Sequence, residues 1–551
     1  MKNNLILLKQ EAMAFINDRI ATLDIRAKQV LFVNCSMLYD KTFLDMISTD
    51  DQKTNAFYAD ILRFGYPVFI SILYDPEFEN LIGIPAPAMD PERVNLCRSL
   101  LYAFKTVGWV NFLLENERLG NLKISHFLNH TRIKFSKTHH WNEFLEKEYI
   151  EYYSRIIAAA QSESYAMLEQ RRPLILKKMK SHVFVFLNDF IGYHTDYETE
   201  SYFYDLARLD LQQETEWDMF NESCPFNGIA YGVYVDSIAD FSGYAIKHIN
   251  YCNLLLIEYP HLLMENLMYN ASESDKLLSL ISDNRSITQA EAEILLHNIS
   301  LHSGNISLCT SDCLPPPPFI KICSQLYLRS IAGSLWHPFP FLLENLHRNY
   351  PKDWNQSTNL REALFKEQLY KMFPDFKCIK HNIQITDGKR VITDIDAAVI
   401  DQKSGEIALF QLKWQNLTDF SSKSLASKYK NYDATSTQWV DDVKTWLRSC
   451  STKELASKLG LKEKYVDKQK IYLFVLGRRH GNYSKDIYVD DGCAWVQWYQ
   501  LLSCRAYLSE DEFNISALHT LVRQASPYSR KIIERKTKYK IGKYTILYGG
   551  N

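Results

Sequence analysis

The sequence of 551 residues has no apolar run as long as the ~18–20 residues that a membrane-spanning helix needs. The segment from Met1 to Phe15 contains Glu11 and lacks the long apolar core that is typical of a signal peptide. There is no internal repeat, and no Gly-x4-Gly-Lys-Ser/Thr loop, so an NTPase motor is not expected. We therefore expect a cytoplasmic protein without a membrane partner.

Closely spaced cysteine pairs are also missing. The 11 cysteines are odd in number and scattered, which is typical of reduced thiols in a cytosolic protein. The closest set is Cys309, Cys313 and Cys323, with His302 upstream, and its spacing is wider than that of most zinc sites. The alternative is that these are buried or incidental thiols, and we expect no metal there.

The near-absence of net charge conceals two unlike halves. The formal charge is −2, but residues 357–551 carry 32 basic and 22 acidic residues, whereas residues 1–356 carry 31 and 43. An asymmetry of this kind indicates one part that faces nucleic acid and one that does not. A composition with 46% apolar and 13% aromatic residues excludes a disordered chain.

Local signals divide the chain into regions of different character. Helix starts are predicted at Asp90-Pro91 and at the capping box Thr288–Glu291, and a long helical pattern covers residues 142–180. The acidic, aromatic-rich segment between Tyr197 and Glu222 is either a solvated helix side or a partner-binding face. We predict a helical N-terminal region (1–140), a helical acidic region (141–313), a linker with Pro315–Pro318 and a connecting helix (314–356), and an α/β domain with a basic tail (357–551).

The pattern changes after the polar break at residues 351–356. The predicted elements are a helix at 360–373, a strand at 390–400, a turn at 403–405, a strand at 406–414, a helix at 438–447 and a strand at 471–476. This order predicts a central mixed sheet, so the fold class of the whole chain is α plus α/β.

Polar residues lie on the two strands of the predicted hairpin. Asp394 and Asp396 share one strand face because side chains alternate with period two, and Gln411 and Lys413 share a face of the partner strand. Burying such groups unpaired in an apolar sheet would cost several kcal/mol or more. A Mg²⁺ ion held by oxygen ligands, with a lysine beside the attacking water, would remove this cost.

The string of Asp396, fourteen residues and Gln411-Leu412-Lys413 resembles the PD-(D/E)XK nuclease superfamily, in the QxK variant similar to Mrr-type restriction endonucleases. The resemblance covers roughly residues 357–500. It implies a restriction-endonuclease-like fold with a small mixed sheet between helices. It also implies Mg²⁺- or Mn²⁺-dependent hydrolysis of phosphodiester bonds, with DNA as the favoured substrate.

The resemblance also implies roles for individual residues. Asp396 and Gln411 would bind the metal ion, Lys413 would serve the nucleophilic water, and Asp394 is a further candidate ligand whose alternative is a turn-facing or salt-bridged acid. The preceding helix would supply Glu362 as a catalytic and metal-binding acid on its inward face. The alternative is that Glu362 only closes a capping box that begins at Asn359.

Basic residues outside the hairpin are candidates for contacts with nucleic acid. Arg478 and Arg479 follow a predicted strand, where they line a substrate groove or form an ordinary basic loop. The C-terminal tail mixes tyrosines such as Tyr544 with cations that neutralise phosphates, or else it is a hairpin with a solvated basic face. The basic residues of the tail that we predict to bind nucleic acid are Arg530, Lys531, Arg535, Lys536, Lys538 and Lys540.

These patterns together favour a metal-dependent DNA endonuclease, with a role in prokaryotic defence against phage or foreign DNA as a hypothesis. The acidic N-terminal half would then regulate the nuclease, bind a protein partner or mediate self-association. The alternative is a catalytically inactive nucleic-acid-binding or assembly subunit with a nuclease-like fold.

Overall fold

The structure is a computed structural model, and it describes residues 4–83, 88–127, 130–214, 217–310, 315–387, 390–415, 422–479, 492–525, 537–541 and 543–548. Helices and mixed sheets both occur in these residues, as the predicted class of α plus α/β requires.

The α-helices of the described residues are α1 (Asn4–Ile20), α2 (Ile25–Ser48), α3 (Gln52–Asp60), α4 (Tyr66–Leu73), α5 (Pro91–Arg118), α6 (Lys137–His182), α7 (Tyr197–Leu211), α8 (Tyr231–Glu258), α9 (Met264–Leu267), α10 (Ser274–Arg285), α11 (Gln289–Ile299), α12 (Ile331–Leu335), α13 (Phe339–Asn349), α14 (Pro351–Lys371), α15 (Ser422–Ser449), α16 (Thr452–Lys458), α17 (Trp498–Tyr507) and α18 (Ile515–Ala525).

The β-strands of the same residues are β1 (Leu122–Phe127), β2 (His130–Phe135), β3 (Val183–Phe186), β4 (Phe190–Tyr193), β5 (Pro225–Phe226), β6 (Ile229–Ala230), β7 (Ala271–Glu273), β8 (Ser300–Leu301), β9 (Phe319–Lys321), β10 (Leu326–Arg329), β11 (Lys377–Ile379), β12 (Ile383–Asp387), β13 (Arg390–Ile395), β14 (Ala397–Ile400), β15 (Ile407–Lys413), β16 (Ile471–Gly477), β17 (Cys493–Gln497), β18 (Thr537–Ile541) and β19 (Tyr544–Tyr548).

The helix signals of the N-terminal half are confirmed. The Asp90 side chain caps α5 by accepting a hydrogen bond of 2.8 Å from the Arg93 N–H. Thr288 and Glu291 form both bonds of the capping box that starts α11. The long pattern at residues 142–180 lies inside α6.

In contrast to the expectation from sequence, one helical stretch, Gln52–Leu73, is long and apolar enough to cross a membrane by length and composition. It joins α3 to α4 through a π-helical turn. Phe69 and Ile70 of this stretch belong to a large buried cluster. Of the most apolar 18 residues of the stretch, 56% are buried inside the fold. That burial is typical of a core helix in a soluble protein.

A five-stranded mixed sheet forms the centre of the C-terminal region, in the order β11-β14-β15-β16-β17. Strands β11, β14 and β15 are antiparallel, whereas β15, β16 and β17 are parallel. The predicted hairpin is confirmed, with Ile400 opposite Ile407 and with Gly405 in the turn at a φ of 76°. Glycine suits this turn because a side chain is strained at a positive φ.

Helices cover both faces of this sheet because its strands alternate two sets of apolar side chains. Val399, Phe410 and Phe474 pack with residues of α14, α17 and α18. Ile400, Leu409 and Val475 pack instead with residues of α15 and α16. The central mixed sheet is therefore a buried layer between helices.

Four predicted features are corrected by the structure. The polar break at 351–356 is the beginning of α14, which puts Trp354 in an N-terminal cluster and Phe365 in the sheet cluster. The helix predicted at 438–447 begins much earlier, at Ser422. The strand predicted at 390–400 is interrupted at Asp396. Pro315–Pro318 are buried, so they do not form an exposed spacer.

A second sheet joins distant parts of the chain, in the order β1-β2-β19-β18. The strand predicted at Tyr544–Tyr548 is confirmed as β19, but it pairs with β2 in parallel as well as with β18. Ile546 and Ile133 on the inner face pack with α1 and α5. The C-terminal hairpin is thus part of a sheet that begins in the N-terminal region.

Candidate active site

The candidate site lies where the chain leaves β13 and enters the central sheet. Asp396 interrupts the two strands, and its N–H donates to the Phe410 carbonyl over 3.1 Å. Its half-buried carboxylate accepts hydrogen bonds from the Leu412 N–H at 2.7 Å and from Gln411 Nε2 at 2.5 Å. The predicted meeting of Asp396 with the Gln411 strand is therefore observed.

The environment of Asp396 disfavours its charge. Burial raises the pKa of this carboxyl from its ordinary value of 3.8 to about 6, because the ionised form loses water. The hydrogen bond from Leu412 opposes the rise, the nearby Asp394 carboxylate adds to it, and Lys413 and Gln411 oppose it. A cation beside Asp396 would reverse this penalty.

Two residues that the sequence analysis did not single out complete the cluster. Asn382, just before β12, donates from Nδ2 to Asp394 at 2.9 Å and to Asp396 at 3.4 Å. Lys366 of α14 donates to Asn382 Oδ1 at 3.0 Å, and burial lowers its pKa while Asp396 and Asp394 oppose that change. Neither residue lies in the sequence motif, so their part in the cluster is seen only in the three-dimensional structure.

The strand that carries Asp394 is also held by a hydrogen bond from α15. Trp439 of α15 is buried and donates from Nε1 to the Asp394 carbonyl oxygen at 2.6 Å. This bond anchors the main chain directly before Asp396. The carboxylate positions thus depend on β12, β13, β15, α14 and α15 together.

The expected inward placement of Glu362 and its alternative, a capping box, are both corrected by the structure, whereas its catalytic role stays a prediction. Arg361, Phe365 and Leu369 are the buried positions of α14, whereas Glu362 is exposed. Asn359 lies inside the helix, so no capping box begins there. Within the described ranges, no three His, Cys, Asp or Glu side chains come together as a metal cluster, so Glu362 is not brought together with Asp394 and Asp396.

The donor atoms that do meet are chemically suited to a hard cation. The two carboxylates of Asp394 and Asp396 and the amide oxygen of Gln411 are oxygen ligands of the kind that Mg²⁺ and Mn²⁺ prefer. Gln411 presents its Nε2 to Asp396, so its Oε1 would face a cation only after the amide turns over. Lys413 follows two residues later on the same strand, where the side chain is half-buried.

Arg478 does not line an exposed groove. Its side chain is buried and forms an ion pair with Asp218 and hydrogen bonds with Gln368 and Tyr499. The rings that surround its guanidinium are those of Phe365, Trp414, Trp498 and Tyr499. Its N–H donates to the Lys413 carbonyl at 2.7 Å. The residue predicted to bind nucleic acid therefore joins the acidic N-terminal region to the strand of the site.

The other predicted nucleic-acid residues have different outcomes. Arg479 is half-buried and lies 5.5 Å from the Tyr149 ring centroid, whereas Lys538 and Lys540 are exposed on β18. Tyr544 is buried, which excludes it from stacking on a base in this structure. The tail residues outside the described ranges are Arg530, Lys531, Arg535 and Lys536.

The cysteine set near His302 lies partly in the apolar core. Cys309 and Cys323 are buried in the largest apolar cluster, and Cys313 lies outside the described ranges. The cysteines that the structure describes as free are mostly buried, in agreement with the reduced thiols expected from sequence.

Comparisons of the chain with protein-family models, with curated proteins and with solved structures give no match.

Proposed function

We propose that this protein is a metal-dependent nuclease that hydrolyses DNA phosphodiester bonds. The observation that carries the proposal is the meeting of Asp396 and Gln411 at 2.5 Å, where the buried sheet is interrupted, with Lys413 following on the same strand. The order and direction of strands β11 to β17, between helices, support a restriction-endonuclease-like arrangement. These features also agree with the resemblance to the QxK variant.

In this proposal Asp396, Asp394 and Gln411 would hold Mg²⁺ or Mn²⁺ through their oxygens. The ion would supply charge stabilisation for the scissile phosphate and lower the pKa of a bound water. Lys413 would hold a proton near the attacking water, and Asn382 would keep the two carboxylates at a common position. Lys366 would contribute positive charge close to the phosphate.

The location and context of the activity are part of the proposal. We propose a cytoplasmic enzyme of prokaryotic defence against phage or foreign DNA, because an intracellular nuclease needs restraint and the acidic half is in contact with the site-bearing sheet. The contact between Asp218 and Arg478 supports such control. A protein partner or self-association through the acidic half would act through this contact.

A cleavage assay with full-length protein tests the proposal. Supercoiled plasmid is incubated with Mg²⁺, Mn²⁺ or EDTA, and nicked and linear products are quantified for the wild type, Asp396→Asn and Lys413→Ala. We expect metal-dependent cleavage that each substitution reduces by about 100-fold or more, as for the loss of a group that stabilises transition-state charge. Exposed-residue controls, Asp511→Asn and Lys453→Ala, should cleave like the wild type. Equal cleavage by all five proteins, or none by the wild type, would reject the assignment.

An inactive nucleic-acid-binding or assembly subunit is the second candidate. One observation favours it: the Asp396 carboxylate is already satisfied by Gln411 and the Leu412 N–H, and Asn382 links both acids to Lys366. A cluster that is balanced without a metal ion can serve structure alone. Salt-sensitive DNA binding by the wild type, with no cleavage in either metal, would favour this candidate.

A further inference from the structure

The sheet β1-β2-β19-β18 has one buried face and one exposed face. Leu122, Ile133, Tyr544 and Ile546 point inward and are buried against α1 and α5. Alternate residues point outward, as strand geometry requires. The outer face is therefore an open surface built from two hairpins that are distant in sequence.

Cations dominate this outer face. The exposed basic residues on it are Lys123, Arg132, Lys134, Lys538 and Lys540. No Asp or Glu occurs in any of the four strands. Lys543 lies in the turn between β18 and β19, outside the strands, and pairs with Glu11 over 2.8 Å.

Strand register places these cations on the same face of the sheet, with one pair directly opposite. Lys123 lies opposite Lys134, and Arg132 lies opposite Leu547 of β19, which in turn lies opposite Lys538. Lys540 lies opposite Thr545 in the next row. With about 4.8 Å between strands, the charged face is roughly 14 Å wide from β1 to β18.

We propose that this face, which we call the terminal sheet, is the docking surface for the phosphate backbone of duplex DNA. Five exposed cations on one open face create a positive potential there, and a polyanion is the electrostatic complement of such a surface. Duplex DNA carries one negative charge per about 1.7 Å of axis and is matched by a broad basic surface whose four strands contain no Asp or Glu. The choice of DNA rests on the proposed nuclease function.

The terminal sheet is connected to the candidate site through two helices. Asn116, near the end of α5, donates to the Ser422 hydroxyl at the start of α15, and Trp439 of α15 holds the Asp394 carbonyl. The helical rise from Ser422 to Trp439 corresponds to about 25 Å. A duplex that reaches from the terminal sheet to Asp396 would thus need on the order of eight base pairs or more at about 3.4 Å each.

The test separates binding from cleavage. All proteins carry Asp396→Asn, and binding of a labelled duplex of about 20 base pairs is followed by fluorescence anisotropy over a range of salt concentrations. The surface variant carries Arg132→Gln, Lys134→Gln, Lys538→Gln and Lys540→Gln. The matched control replaces four exposed lysines elsewhere, Lys53, Lys352, Lys453 and Lys462, by Gln and has the same net charge.

We expect the surface variant to bind at least tenfold more weakly near physiological salt. Its slope of log K against log salt should be shallower by roughly 0.9 for each phosphate that is no longer neutralised, whereas the control keeps the parental slope. A charge-retaining variant, with Lys134→Arg, Lys538→Arg and Lys540→Arg, should bind like the parent. This variant and thermal melting curves distinguish weaker phosphate binding from misfolding.

Equal affinity and slope in the surface variant and the control would overturn the proposal. Tighter binding of single-stranded RNA or of an acidic protein than of the duplex, at the same salt, would overturn the choice of DNA. Failure of the nuclease assignment is distinguishable, because it appears as an uncut plasmid with the wild type and leaves these binding measurements unaffected.

Discussion

At the scale of the residue, Asp396 carries a structural cost that its proposed role as a metal ligand would explain. The carboxylate is half-buried beside Asp394, and its charge is opposed by burial more than it is favoured by hydrogen bonds. A site residue that destabilises the fold when ionised is typical of catalytic centres. The cost sets up a measurable dependence of stability on pH.

We predict that Asp396→Asn stabilises the metal-free protein at neutral pH. A pKa raised from 3.8 to about 6 corresponds to about 3 kcal/mol against the ionised form, an upper value for a half-buried group. Below pH ~4 the Asp396 carboxyl is protonated in both the folded and the unfolded state. Between pH ~4 and ~6 the folded state binds more protons than the unfolded state, so the free energy of unfolding of the wild type falls as the pH rises. Thermal unfolding in EDTA should show a higher Tm for Asp396→Asn at pH ~7.5 and a similar Tm at pH ~4. A higher Tm for the wild type at neutral pH would contradict the prediction.

Gln411 gives a second prediction, on metal affinity. Gln411→Glu adds a third carboxylate to those of Asp394 and Asp396, with an oxygen in place of the amide nitrogen that now lies 2.5 Å from Asp396. We expect Mg²⁺ to bind about tenfold more tightly, since an added ligand charge strengthens a hard-cation site, and the Tm in EDTA to fall because like charges repel. Isothermal titration calorimetry measures the affinity, with the exposed Gln402→Glu as the control. Unchanged Mg²⁺ affinity would show that position 411 is not a ligand.

At the scale of the element, β16 connects the site to the acidic region. Arg478 directly follows β16, bonds to the last residue of β15 and pairs with Asp218, which precedes β5. Aromatic rings surround the guanidinium, and the Arg478 side chain is only 6% exposed, whereas that of Asp218 is 36% exposed. The segment between α7 and β5 is therefore linked through Arg478 to the end of the strand that carries Lys413.

We predict that Asp218→Asn destabilises the protein by about 2–3 kcal/mol, somewhat less than for a fully buried pair, because it leaves the buried Arg478 without its counter-charge. Nicking should also change, since the Arg478 N–H holds the Lys413 carbonyl. The exposed pair Arg155–Glu151 is the control, and Glu151→Gln should cost about 0.5 kcal/mol or less. Chemical denaturation measures the stability of both variants. Equal losses of stability in Asp218→Asn and Glu151→Gln would contradict a stabilising ion pair between Asp218 and Arg478.

Local elements are predictable from the sequence, and their pairing partners are not. The hairpin of β14 and β15 and the caps of α5 and α11 are encoded by residues a few positions apart, so the sequence predicts them correctly. Phe365 is buried as expected, but the inward placement of Glu362 is wrong because the buried position one turn before Phe365 is Arg361. Asn382 and Arg478 gain their roles from groups 12 or more residues away, which no local pattern contains.

At the scale of the whole molecule, the two charged halves are interlocked rather than consecutive. Tyr153 of α6 packs in the cluster of the central sheet, Asp218 pairs with Arg478, and β19 pairs with β2. The predicted boundary at residue 356 falls within α14. An isolated piece that begins near residue 350 would lack one partner of each of these pairs, so tests of restraint require the full chain.

The terminal sheet gives the last prediction. Ile546 of β19 is fully buried against α5, whereas Thr545 of the same strand lies on the outer face of the sheet. We expect Ile546→Ala to cost about 2–5 kcal/mol, as for other core truncations, and Thr545→Ala to cost about 1 kcal/mol or less. Denaturant unfolding checks both values. A negligible cost for Ile546→Ala would mean that the C-terminal hairpin is not docked on the N-terminal helices in solution.

The pairing of β19 with β2 also has a consequence for the time course of folding. Thr545 and His130 are about 415 residues apart, and contacts between distant residues form late because a long loop must be closed first. The strands of the central sheet lie much closer together along the chain. If both proposals hold, a newly made molecule would therefore form its candidate site before the terminal sheet, and it would lack the proposed DNA-binding surface until that sheet is complete.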